Sequence, residues 1–292
     1  MGTKTTGFGV GRRESHDSSA FYARALRVVT ESPDCSVGSS TRTEQLFAHS
    51  ATDMSELSDN SVALMITSPP YHAGKDYDSN ATFEEYLDLL EAVFRETYRV
   101  LEPGGRAVVN VANLGRRPYV PLSHLITDRM LRVGFFMRGE IIWRKGKGAN
   151  GNCAWGSWRS AANPVIRDVH EYCLCFSKGR FGRARKGKST MSADDFMQST
   201  LSVWELPPES AKRVGHPAPF PVELPRRFIG LYTYEGDLVL DPFMGSGTTA
   251  VAAVVTRRRW VGYETNQDYV AMALDRIATV QPVLGPPVES VS

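Results

Sequence analysis

Cysteine is scarce in this chain and long apolar runs are missing. Four cysteines in 292 residues (Cys35, Cys153, Cys173 and Cys175) are too few for a disulfide framework and fit a reducing compartment. No stretch approaches the roughly 18 apolar residues that a membrane span requires. Residues 1–19 are polar and glycine-rich without an apolar signal core, so the expected location is the cytoplasm. No internal repeat is present. At 42% hydrophobic and 23% charged residues the composition is ordinary for a globular domain, and the length suits one large α/β domain or one domain with an insert.

A large net charge is also absent, but the total of +2 hides an uneven distribution. From Arg144 to Thr190 there are eleven Lys/Arg against Asp168 and Glu171, a net of +9, which leaves the rest at −7. A positive segment on an otherwise acidic chain predicts a local surface for a polyanion.

Ser68-Pro69-Pro70-Tyr71 follows the apolar run Val62–Ile66. That run reads as a buried strand that stops abruptly at the double proline. Prolines have no N–H to donate and hold φ near −65°, so the loop is stiff and its carbonyls lack ladder partners. A hydroxyl, a free carbonyl and a tyrosine ring are thereby offered together at the carboxyl end of a strand, where open α/β sheets bind ligands. The group suits a flat ring bearing an amino group.

Around this loop the pattern alternates. Gln45–Ala48 reads as a strand, Thr82–Leu101 as a capped amphipathic helix stopped by Pro103-Gly104-Gly105, and Arg106–Val111 as a strand. Pro121–Val133 is an expected helix, Phe136–Trp143 and Val169–Phe176 are expected strands, and Lys178–Lys188 reads as an exposed loop. Ser192–Pro208 is mixed. Regular order then resumes with a helix at Val222–Tyr232, a strand at Leu238–Leu240, a helix at Gly247–Val255, a strand at Trp260–Tyr263 and a helix at Asn266–Ile277. A short helix at Phe21–Val29 is also expected. The fold class is α/β: a doubly wound, mostly parallel sheet with an inserted region.

A second motif, Asp241-Pro242-Phe243-Met244-Gly245-Ser246-Gly247-Thr248-Thr249, links a strand to a helix. Its glycines permit a tight turn and close approach of a ligand to N–H groups at the helix start. Glu264 ends the next strand, where an acid can accept from two ribose hydroxyls. A nucleoside half-site follows; the missing third glycine disfavours a dinucleotide.

Together, Thr67-Ser68-Pro69-Pro70-Tyr71 and the Asp241–Thr249 motif resemble the β-group amino-methylating DNA methyltransferases, in which the catalytic half precedes the cofactor half, a circular permutation of the usual order. Pro103-Gly104-Gly105, Glu140–Trp143, His170-Glu171-Tyr172 and His216–Pro221 are supporting matches, and the resemblance covers about residues 45–280. It implies S-adenosylmethionine as cofactor and duplex DNA as partner, with Ser68, Pro69, Pro70 and Tyr71 at a flipped target base. It further implies that Asp53, Thr67, His216, Pro217, Phe220, Asp241, Pro242, Phe243, Gly245, Ser246, Gly247, Thr248, Thr249 and Glu264 bind the cofactor. The segments then read as a flexible 1–40, a catalytic half 41–143, a core strand plus basic target-recognition region 144–213, a cofactor half 214–280 and a tail 281–292. DNA contacts fall on Arg144, Lys145, Trp155, Trp158, Arg159, Arg183, Arg185, Lys186 and Lys188, because cations neutralise phosphates and aromatics stack.

The Ser-Pro-Pro-Tyr form favours cytosine N4 over adenine N6, which stays the alternative; an RNA substrate or a non-catalytic DNA-binding module are weaker ones. Carbon-5 methylation needs a thiolate nucleophile, usually presented after proline, and the chain has no Pro-Cys. Asn-Pro-Pro-Tyr, the form expected for a protein glutamine substrate, does not occur. Cys173 and Cys175 read as core residues sharing one strand face, and no metal is expected. A nucleoid-associated, prokaryotic enzyme of the cytoplasm is expected, monomeric or homodimeric, with a restriction endonuclease of the same site as a possible partner.

Overall fold

The structure is a computed structural model that describes residues 30–70, 82–115, 117–146, 156–209 and 220–280. The described residues from Pro33 onward belong to one compact unit. The expected helix at 21–29 lies outside the described residues.

The first strands are β1 (Gln45–Phe47) and β2 (Val62–Thr67). After them, α1 (Phe83–Val100) starts at Thr82, whose hydroxyl accepts from the Glu85 amide while the Glu85 carboxylate accepts from the Thr82 amide. This reciprocal cap satisfies two donors that every helix start leaves unpaired. Helical spacing brings Tyr86, Leu90, Val93 and Phe94 onto one buried stripe, and each such burial contributes about 1.5–3 kcal/mol.

The strand after α1 differs from expectation. It begins directly at Leu101, so β3 is Leu101–Val111 and contains Pro103-Gly104-Gly105. The three residues form an irregularity, with Val62 opposite Leu101 but Leu64 opposite Arg106. Gly104 has φ +79°, and a Cβ there would meet the Gly182 carbonyl oxygen at 2.0 Å. Only glycine lets the two backbones pass so closely.

Next come α2 (Leu122–Val133), closed by left-handed Gly134, and β4 (Phe135–Arg144). The chain returns along β5 (His170–Lys178), continues through α3 (Ala193–Ser199) and β6 (Val203–Glu205), and reaches α4 (Glu223–Tyr232). It ends with β7 (Leu238–Asp241), α5 (Thr248–Val255), β8 (Arg259–Tyr263) and α6 (Gln267–Val280). The mixed stretch 192–208 thus holds a helix and an edge strand too short for periodicity to reveal.

The eight strands of the described residues lie in one sheet, in the order β1-β8-β7-β2-β3-β5-β4-β6. Every neighbouring pair is parallel except those involving β5, which runs against β3 and β4. Helices cover both faces. On one, Tyr86, Leu90 and Phe94 of α1 and Ile126 of α2 pack on Met65, Val109 and Leu240. On the other, Phe228 of α4, the alanines of α5 and Ile277 of α6 pack on Leu64, Ile66, Val108 and Val239. The chain leaves β2 for β3 by the first face and β7 for β8 by the second. Adjacent β2 and β7 therefore diverge at their carboxyl ends, which opens the crevice where doubly wound sheets bind ligands.

Candidate active site

Both sequence motifs flank this crevice. Ser68-Pro69-Pro70 leaves the end of β2, with Pro69 buried and Ser68 and Pro70 half-buried. The Asp241 loop leaves the neighbouring β7. Thr67, fully buried, donates its hydroxyl to Asp241 Oδ1 at 2.6 Å. The residue before the proline loop is thereby tied to the residue that opens the glycine loop. Tyr71 lies outside the described residues.

The glycine loop is held at several points. Asp241 Oδ1 also accepts the Phe243 amide at 3.1 Å, and the Met244 amide donates to the Tyr263 carbonyl at 2.9 Å. Gly245 and Gly247 both have positive φ. Gly247 is the start of α5, and a Cβ there would press on Ala273 of α6 at 3.0 Å. Pro242, Ser246, Thr248 and Thr249 are buried. Arg276 of α6 donates to the Ser246 carbonyl and hydroxyl at 2.5 and 2.8 Å. Sequence reasoning did not single out this arginine, because nothing local marks a cation as the strut of a loop thirty residues away.

Glu264, half-buried at the end of β8, accepts the Gly245 amide at 2.8 Å on one oxygen and the Asn266 amide at 2.9 Å on the other. Two backbone donors fix the carboxylate while leaving lone pairs for further donors. Asp241 is wholly buried. Burial pushes its carboxyl up to about 6, with the Thr67 hydroxyl pulling the other way. A strained glycine turn, a helix start and two oriented carboxylates fit a nucleoside whose amino-acid arm carries an ammonium.

Other expected cofactor residues fall differently. Phe220 packs beside the second core, while His216 and Pro217 lie outside the described residues. Asp53 is exposed and accepts the Ser55 amide of its own turn at 3.0 Å. The next residue, Met54, donates to Glu96 of α1. No described contact brings Asp53 to the glycine loop.

The basic run departs furthest from expectation. Because β5 is antiparallel, it carries the chain away from the carboxyl edge, and the segment after Lys178 begins at the opposite edge. Arg183 is no exposed cation there: its side chain is 10% exposed and bridges Glu102 (2.5 Å) and Asp237 (2.6 Å). Arg185 joins Glu102 at 3.2 Å, and Lys188 pairs with Glu235 at 2.9 Å. These charges neutralise acids at the amino ends of β3 and β7. Lys186 is exposed on the same segment. The expected DNA contacts at Arg183, Arg185, Lys186 and Lys188 thus lie about six residues of strand, on the order of 20 Å, from Ser68. A 260 Å³ cavity lined by Arg226, Arg227 and Arg257 lies toward that edge as well and holds none of the site residues.

The carboxyl edge keeps the other part of the basic region. Arg144 is exposed at the end of β4, and Trp158 (66% exposed) and Arg159 belong to the β4–β5 connection. Trp155 lies outside the described residues. Lys145 is held by Glu171 at 2.5 Å, and Glu171 also accepts from the Asn110 amide group at 2.7 Å. Cys173 and Cys175 face the second core, and burial pushes the Cys175 thiol up to about 12.

A family model for DNA methylases matches residues 62–275. The Type II methyltransferase M.MthZI of Methanothermobacter thermautotrophicus is 29% identical over 272 residues, covering 80% of this chain and 76% of its own length. TTHA0409 of Thermus thermophilus, assigned as a DNA modification methylase and solved in complex with S-adenosyl-L-methionine, is 32% identical with a TM-score of 0.68; the match covers 82% of this chain and 94% of that one. The PvuII DNA methyltransferase, cytosine-N4-specific, shares the fold at a TM-score of 0.65 and 23% identity, with coverage of 83% and 93%.

Proposed function

The chain belongs to the DNA methylase family that methylates exocyclic amino groups at N4 or N6, and from that premise we propose that it methylates cytosine N4 in duplex DNA with S-adenosylmethionine as donor. The carrying observation is the junction at the switch point, where the Ser68 loop and the Asp241 loop leave adjacent strands joined by the Thr67–Asp241 hydrogen bond. Acceptor site and donor site are built on one rigid edge.

When bound, S-adenosylmethionine supplies an electrophilic methyl group on a sulfonium. Glu264 would accept from its ribose hydroxyls, Asp241 and the loop backbone would hold its amino-acid arm, and Phe220 would border it; His216 and Pro217 are further candidates from the sequence. Ser68 and the Pro69 carbonyl accept the two hydrogens of the target amino group. Such a grip favours a pyramidal nitrogen whose lone pair, otherwise conjugated into the ring, points at the methyl. The Ser68 hydroxyl would pass to water the proton that the nitrogen loses on methylation. Position and electrostatics carry the catalysis. By the resemblance, Tyr71 would stack on the flipped base and offset part of an unstacking cost of about a few kcal/mol.

An uncharged serine at the head of the loop supports cytosine N4 over adenine N6. Digesting methylated DNA to nucleosides and weighing the product decides it: N4-methylcytosine is expected, and N6-methyladenine alone overturns the choice. The DNA-facing surface is proposed at the carboxyl edge, on Arg144, Lys145, Trp158 and Arg159 within the 144–169 part of the recognition region. The Type II designation of the relatives supports a restriction endonuclease of the same site as partner.

A further inference from the structure

Four polar side chains form a row across the carboxyl edge that the methyl-transfer chemistry leaves unused beyond its first member. Strand alternation places Ser68 on the face of Leu64 and Ile66, Asn110 on that of Val108, Glu171 on that of Cys173 and Cys175, and Lys145 on that of Ile141 and Trp143. Those four strands are consecutive neighbours: β2, β3, β5 and β4. Ser68, Asn110, Glu171 and Lys145 thus line one wall on the α4 side of the sheet.

The last three are joined. Asn110, 2% exposed, donates to Glu171 Oε2 at 2.7 Å and accepts from the Cys173 thiol at 3.4 Å. Glu171, 8% exposed, takes the Lys145 ammonium on its other oxygen at 2.5 Å. Lys145 also stands 5.6 Å from the Trp143 ring centroid. Glu171 and Trp143 fix the ammonium in a partly desolvated place, and only one of its three N–H donors goes to Glu171.

Strand spacing measures the distance from Ser68 to this anchor. Glu171 stands two strands from β2 and, because Asn110 is level with Cys173, two residues nearer the carboxyl edge, about 12 Å between backbones at ~4.8 Å per strand and ~3.3 Å per residue. The reach of the side chains across that gap leaves room for the Watson–Crick edge of one pyrimidine with a hydrogen bond of about 2.9 Å at each end. A cytosine gripped at N4 by Ser68 and the Pro69 carbonyl presents its O2 acceptor at the other end of that edge. An adenine gripped at N6 has a C–H there and no carbonyl.

We propose that Lys145, oriented by Glu171 and Asn110, is a specificity-determining residue that donates a hydrogen bond to O2 of the flipped cytosine. The inference rests on the cytosine reading above. It moves Lys145 from phosphate contact to base readout, with Glu171 and Asn110 as positioning residues.

The test measures kcat/KM of the full-length protein on a duplex carrying its mapped site, with either cytosine or 2-thiocytosine at the target. Sulfur is the poorer acceptor, so the wild type is expected to prefer the natural base on the order of ten- to a hundredfold. Lys145→Met is expected to lower turnover of the natural base by a similar factor and to erase the preference, and Lys145→Arg to restore part of it. N4-methylcytosine as product with a thio effect below twofold overturns the assignment of Lys145 alone. N6-methyladenine as product, or no methylated base, overturns the cytosine reading and this inference with it. Should Lys145→Met fail to fold, the thio effect on the wild type still decides.

Discussion

Ser68 and Asp241 sit at neighbouring strand ends yet answer to different physics. In the proposed reaction Ser68 acts through a hydrogen bond strongest as the amino nitrogen gives up its conjugation. Ser68→Ala is therefore expected to lower kcat about 10²–10³-fold while DNA affinity stays within about twofold, as single-turnover rates and equilibrium titration would show; an equal loss in both would return the serine to a binding role. Asp241 is governed by burial, which raises its carboxyl from the ordinary 3.8 to about 6. A raised folded-state pKa means that the native state binds the proton more tightly than the unfolded chain does. Its stabilisation is complete below about pH 3.8 and is lost as pH rises through 6. At pH 8 the ionised, cofactor-free Asp241 carries a penalty of roughly 3 kcal/mol. Asp241→Asn should thus raise the melting temperature of the cofactor-free protein at pH 8 far more than at pH 5, and abolish S-adenosylmethionine binding in calorimetry. Unchanged binding would remove Asp241 from the donor site.

Among the elements, β5 decides most. Its reversal divides the basic region, leaving Arg144 and Lys145 at the carboxyl edge and delivering Gly179 to Lys188 to the far one. Arg183 there is a buried strut. Arg183→Met would leave Asp237 without its cation and Glu102 with Arg185 alone, both carboxylates being at most 5% exposed, and should destabilise the fold by about 3–5 kcal/mol in urea melts. Lys186→Ala with Lys188→Ala should leave the salt dependence of DNA binding unchanged. Arg144→Ala with Arg159→Ala should weaken binding and reduce the magnitude of its log–log salt slope by about one for each phosphate no longer neutralised. The reverse pattern would place DNA at the amino edge. The charge count could not distinguish the two halves, because a run of cations reads the same whether it faces phosphate or buried carboxylates.

For the whole molecule, the Ser68 and Asp241 loops share one edge, so cofactor bound in the proposed place should stabilise the entire sheet. At a hundred times Kd the gain is about 2.7 kcal/mol, a rise in melting temperature on the order of 5–10 °C for a domain of this size. Ser68→Ala should keep this shift and Asp241→Asn should lose it, measured by thermal scans with and without S-adenosylmethionine. Much of the molecule was legible beforehand: the α1 cap, the buried run of β2, and the alternation of strand and helix are local patterns in which side-chain spacing dictates secondary structure. The two loops were legible as well, since double proline and paired glycines fix backbone shape by themselves. Strand direction and side-chain partners at long range were not. Only the tertiary structure decided that Thr67 meets Asp241, that Arg276 braces Ser246, that Arg183 turns inward, and that Asn110, Glu171 and Lys145 stand in line with Ser68. Those pairings join residues up to 174 positions apart, and they follow from sheet order and face, which sequence spacing does not encode.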